Sequence, residues 1–137
     1  MTLSNKTQFR AFVAISIVLY LALLAMTEFH LVAYAHEIEV VRTWNRYGTL
    51  IPHDVARIWG IANPVLFIAA QVGLLCFRPF ARSLLASLLI ITVLLDPFMG
   101  LLVLTPFEHF LAAAVGLFAC VTLALAALSP LSAEFRK

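Results

Sequence analysis

The chain has 137 residues, 64% of them hydrophobic and 12% charged, with a mean hydropathy of +1.03. A soluble domain carries about half apolar and about a quarter charged residues, and at this length it has no interior large enough to hide so much apolar surface. The bilayer is therefore the expected solvent, and residues 1–137 read as one all-α integral-membrane domain. A net charge of +2 without a Lys/Arg block argues against nucleic acid as a partner. Cys76 and Cys120 both sit in apolar runs and read as buried small hydrophobes, not as a disulfide.

The first predicted span covers residues 8–27. Nothing charged interrupts Ala11 to Thr27, and about 20 helical residues at a rise of 1.5 Å cross a roughly 30 Å hydrocarbon core. Lys6 and Arg10 precede it as in an uncleaved signal-anchor. Residues 28–54 differ in kind. Glu39, Arg42 and Arg46 share one helical face while Ile38, Val41, Trp44 and Tyr47 fall near another. That pattern predicts an amphipathic segment in the headgroup layer, open to a docking partner. Gly48 ends this segment, and Pro52 is placed at or near the first turn of the next helix.

The second span is predicted over residues 55–77, with Pro64 inside it and Asn63 and Gln71 turned inward to find hydrogen bonds. Arg78-Pro79-Phe80-Ala81-Arg82 reads as a short basic turn, and the third span as residues 83–97. A hinge follows, from Asp96-Pro97 to Thr105-Pro106-Phe107-Glu108-His109. Within it, Thr at N-cap, Pro at N1 and Glu at N3 form a capping box that starts the fourth span, residues 106–128. Along that span Ala112, Gly116, Cys120 and Ala124 recur every four residues, a small-residue stripe suited to close helix packing.

Charge sets the expected topology. Lys6, Arg10, Arg78, Arg82, Arg136 and Lys137 fall at the termini and the middle turn, against Arg42, Arg46 and Arg57 on the other connections. The positive-inside rule then predicts a four-transmembrane-helix bundle, N-in/C-in, in a cell inner (plasma) membrane. The amphipathic segment between helices 1 and 2 becomes extracytoplasmic, on the same side as the Asp96–Glu108 hinge.

No phosphate loop, His-Glu-x-x-His helix, Cys-x-x-Cys pair or Gly-x-Ser-x-Gly elbow is present. This leans away from an enzyme, and no catalytic or metal residue is assigned. The leading expectation is a protein that works through contacts with other membrane subunits or with itself. Its surface would be Glu39, Arg42, Trp44, Arg46, Asp96 and His109. The alternative is a small-ligand protein holding quinone, haem, lipid or metal at the outer face, through Arg57, Trp59, Asn63, Gln71 and His30. A b-type haem needs two imidazoles at matching depth, and His30 with His109 would be that pair. No cofactor is required by the pattern itself.

From the basic turn onward the chain resembles a group of small, uncharacterised four-helix bacterial inner-membrane proteins. The resemblance is carried by Arg78-Pro79-Phe80-Ala81-Arg82, Thr105-Pro106-Phe107-Glu108 and Ser129-Pro130-Leu131 with Glu134-Phe135-Arg136. It covers the C-terminal half and implies the fold and the membrane but no activity. Such proteins often carry an acid in the middle of the last helix. Phe118-Ala119-Cys120 holds that place here, which argues against ion or proton traffic along it.

Overall fold

The structure is a computed structural model and describes residues 3–29, 48–100, 104–128 and 135. The predicted surface residues Glu39, Arg42, Trp44 and Arg46, and His30 of the predicted ligand set, lie outside the described residues.

Four helices make the fold: α1 (Leu3–Phe29), α2 (His53–Leu75), α3 (Pro79–Leu95) and α4 (Pro106–Leu128). A 3-10 turn, Asp96–Phe98, extends α3. Each of the four is long and apolar enough to cross a membrane. The solvent-accessible area is 8780 Å², against about 7,100 Å² for a compact soluble chain of this mass. Many large apolar side chains of the described helices are exposed. Val18, Ile58, Ile61, Val93, Phe110 and Leu117 all point outward, as expected where lipid replaces water. The fold is that of a multi-pass helical membrane protein.

The helices pack in a ring. α1 lies against α4 and α2, α2 against α3, and α3 against α4. On α4 the buried positions are Glu108, Leu111, Val115, Ala119, Thr122 and Ala126, spaced by three or four residues as one helical face requires. On α3 they are Ala81, Leu85 and Leu88. Phe9 and Val13 of α1 complete the core with Phe67, Ala70 and Leu74 of α2. α1 meets α2 again through Tyr20 and Phe67, whose ring centroids are 4.4 Å apart.

The segment Arg78–Arg82, expected as a basic turn, is helical from Pro79 onward. Proline at N1 starts α3 four residues earlier than the charge pattern implied, because its missing N–H costs nothing there. The turn is only Cys76–Arg78, closed by Arg78 N–H donating to Gly73 O at 2.8 Å and Phe77 N–H to Leu74 O at 3.1 Å. This is a Schellman closure with Phe77 in the left-handed position, φ 54°. The two cysteines are free and exposed, not buried. An apolar run does not decide which face a residue takes when lipid is itself the apolar solvent.

Candidate functional site

The polar residues of this chain gather at two ends of the bundle. At one end, α2 begins and α3 finishes. Thr49 Oγ1 and Leu50 N–H both donate to Phe98 O, at 3.1 and 3.0 Å. The entry to α2 is thereby tied to the exit of α3, and the two polar connections expected on one side do meet through their described residues. Asp54, Asp96, Glu108 and His109 stand at this end.

The capping box is present and buried. Glu108 Oε2 accepts from Thr105 N–H at 2.8 Å and from Thr105 Oγ1 at 3.0 Å, and Glu108 N–H donates to Thr105 Oγ1 at 3.2 Å. Glu108 is fully enclosed. Its role is to hold the first turn of α4, which commits Oε2 to structure.

Asp96 and His109 are both exposed. Asp96 occupies the C-cap of α3, its N–H donating to Thr92 O. Among the described residues no group of three or more His, Cys, Asp or Glu comes together in a way that would hold a metal.

The residues of the ligand alternative are spread along α2. Trp59 and Asn63 are half-buried and four residues apart, so they share a face. Arg57 is exposed, and a spacing of two residues sets it about 200° around the helix from Trp59. Gln71 lies about 12 Å further along the axis than Asn63. It is fully buried, and its Nε2 donates to Ser16 Oγ of α1 at 3.1 Å. Gln71 turns inward as expected, but to fasten two helices together. Ser16 as its partner was not foreseen, because serine in an apolar run gives no sign of which helix it will face.

The small-residue stripe on α4 lies beside the packed face, not on it. Ala112 and Gly116 are half-buried, Cys120 and Ala124 exposed. A Cβ added at Gly116 would meet nothing within 4 Å. The close approach inside the chain is elsewhere, at Gly73 of α2, where an added Cβ would stand 2.8 Å from the Ala81 Cβ of α3.

The opposite end was read from sequence only as a charge count. Phe9, Phe77 and Phe135 form an aromatic cluster there, with centroids 5.6, 6.1 and 5.2 Å apart for the three pairs. Lys6 Nζ and the Arg10 guanidinium lie over the Phe77 ring at 5.9 and 5.4 Å, and the Arg82 guanidinium over the Phe135 ring at 5.0 Å. Arg82 also donates to Ala126 O at 3.3 Å, satisfying a carbonyl in the last turn of α4. The aromatic spacing, spread over three distant segments, carried no signal of this cluster.

Comparisons with protein-family models, with curated proteins and with solved structures find no match to this chain.

Proposed function

We propose that this chain is a non-enzymatic bacterial inner-membrane protein that acts through protein–protein contacts, as an accessory subunit of a membrane complex or as an immunity-type protein. The observation that carries the reading is the outward stripe on α4. Gly116 stands in a helix that already has its own packed face, and open space lies over its Cα. Small residues let a second helix approach closely where dispersion and not water drives association. The charge balance supports the orientation within this proposal. Lys6, Arg10, Arg78 and Arg82 stand at one end of the bundle and Asp54, Asp96 and Glu108 at the other. Both termini are then cytoplasmic, and the Thr49–Phe98 junction faces outward.

The test is a Gly116→Leu variant purified in mild detergent beside the wild type. Because a Cβ added there would meet nothing within 4 Å among the described residues, folding is expected to be unchanged. A partner, or a second copy, held by the wild type and lost by the variant supports the reading. Wild type that runs as a monomer with no stoichiometric partner overturns it.

A second reading is favoured by Trp59 and Asn63, half-buried on one face of α2. They lie about 9 and 15 Å along α2 from His53 and offer an aromatic wall and an amide to a quinone, haem or lipid that reaches inward from the outer face. An absorption spectrum with metal and lipid analysis of the purified protein separates the two.

A further inference from the structure

We propose that the half of the bundle nearer the Thr49–Phe98 junction holds a cleft between α1, α2 and α3 that binds the ring of a quinone. The proposal rests on the second reading above and names its ligand. It begins from a change along three inward faces. On α1, Tyr20 follows the buried Val13 and Ser16 by seven and four residues. On α2, Asn63 precedes the buried Phe67 and Ala70 by four and seven, and on α3 Thr92 follows the buried Leu88 and Leu85 by four and seven. Those spacings keep each polar residue on its helix's buried face. Yet Tyr20, Asn63 and Thr92 are only half-buried, and no residue of 17–25, 57–66 or 89–95 is fully buried. The three helices are close-packed in one half of the bundle and loose in the other, and the change falls at a polar residue in each.

Trp59 joins these three, one turn from Asn63 on the same face and packed against the core. None of the four side chains makes a hydrogen bond among the described residues. Asn63 is the eleventh of the 23 residues of α2, near the middle of its span. An unpaired amide at that depth is costly, because no water reaches the hydrocarbon to satisfy it. All four groups can donate, through an indole N–H, an amide and two hydroxyls. Arg57, the one charged residue within these stretches, is exposed and about 200° around α2 from Trp59. The cleft therefore offers donors and rings without charge.

Such a lining selects a flat, neutral ligand that carries acceptors. The Tyr20 and Phe67 rings, with centroids 4.4 Å apart, close the cleft at its inner end. Trp59 stands about two turns further out than Phe67 and adds an aromatic wall. A quinone ring presents carbonyl oxygens on opposite edges, and its hydrocarbon tail is at home among lipid chains. Haem fits less well, because its axial imidazole is missing at this level: His53 and His109, the described histidines, are both exposed at the end of the bundle. A phospholipid headgroup fits less well again, since it needs a cation and a shallower position.

The experiment is equilibrium dialysis of the full chain in neutral detergent against menadione, a naphthoquinone without a tail, with empty micelles as the blank. Wild type is expected to take up menadione saturably above the blank. Asn63→Leu and Thr92→Val remove a donor each and keep the volume, so each is expected to weaken binding about fivefold, the worth of one hydrogen bond. Circular dichroism checks that the variants are folded. If Asn63→Leu is not, the isosteric Thr92→Val decides. A severalfold loss supports the site, and unchanged binding by the folded variants overturns it. Uptake by wild type no greater than the blank also overturns it. Metal and lipid analysis of the same samples separates this failure from that of the reading beneath it. A haem or phospholipid retained by wild type and lost by Asn63→Leu overturns the quinone alone. A protein that retains neither and takes up no menadione overturns both.

Discussion

Gln71 and Ser16 are 55 residues apart in sequence, and Gln71 Nε2 donates to Ser16 Oγ at 3.1 Å in the buried contact between α2 and α1. The amide's oxygen, Gln71 Oε1, is buried with no partner among the described residues. The pair therefore joins one satisfied bond to one costly acceptor. Ser16→Ala is expected to destabilise by about 1 kcal/mol, because the amide then loses its remaining partner. Gln71→Met, which removes the orphan acceptor and keeps the volume, is expected to be near neutral. A double-mutant cycle followed by unfolding in mixed micelles should give a coupling of about 0.5–1.5 kcal/mol, the range for interhelical hydrogen bonds in membranes. A coupling near zero would show that the bond holds nothing.

The second prediction concerns backbone proximity. A Cβ on Gly73 would stand 2.8 Å from the Ala81 Cβ, and a methyl group on a helix has no flexible end to swing aside. Gly73→Ala should destabilise by about 1–2 kcal/mol despite alanine's better helix propensity. Ala81→Gly placed in the same chain should restore most of the loss. Thermal unfolding of the two single variants and the double variant reads this directly. Additive losses would mean that α2 and α3 do not touch at this point.

How much of this was legible beforehand depends on the kind of signal. Long apolar runs and the Thr105-Pro106-Phe107-Glu108 box are local, and both appear in the structure. Facing is not local. The stripe of Ala112, Gly116, Cys120 and Ala124 and the buried set Leu111, Val115 and Ala119 are neighbouring stripes of one helix, and both are apolar. In water the core takes the apolar face. In lipid both faces are equally soluble, so hydropathy cannot choose between them. The Phe9, Phe77 and Phe135 cluster was hidden for another reason, because the chain brings it together from three separate segments.

Phe135 leads to the third prediction. It is fully buried and stands edge-on to Phe9 with centroids 6.1 Å apart. Phe135→Ala is expected to cost about 3 kcal/mol, the usual loss for an enclosed aromatic ring. Arg82 would lose its ring as well as the packing. Proteolysis near the C-terminus should accelerate in the variant, and Phe135→Leu should recover more than half of the stability. Equal stability of all three chains would show that the ring is not an anchor.

The fourth prediction tests the capping box. Thr105 Oγ1 takes the Glu108 N–H, and Glu108 Oε2 takes the Thr105 N–H. Thr105→Ala is expected to cost about 1 kcal/mol. It should also speed hydrogen exchange at the first turn of α4 while leaving residues near Leu128 unchanged. A uniform increase along the helix would instead indicate global destabilisation.

Asp96 supplies the last prediction, because structure and function push it in opposite directions. It caps the C-terminal end of α3, where the helix dipole is negative and a carboxylate is unfavourable. Its side chain is exposed and adjoins the turn in which Phe98 O binds Thr49 and Leu50. If Asp96 only ends a helix, Asp96→Asn should stabilise the protein by about 0.3–1 kcal/mol, since asparagine suits a helix end without the charge. If the outer face docks a partner as well, as the sequence pattern of Asp96 and His109 suggests, the same variant should unfold at a higher temperature yet retain less of that partner in mild detergent. The paired measurement is decisive because simple damage would lower both values. A rise in stability with full partner retention would leave Asp96 as a turn residue and confine the docking surface to the α4 stripe around Gly116.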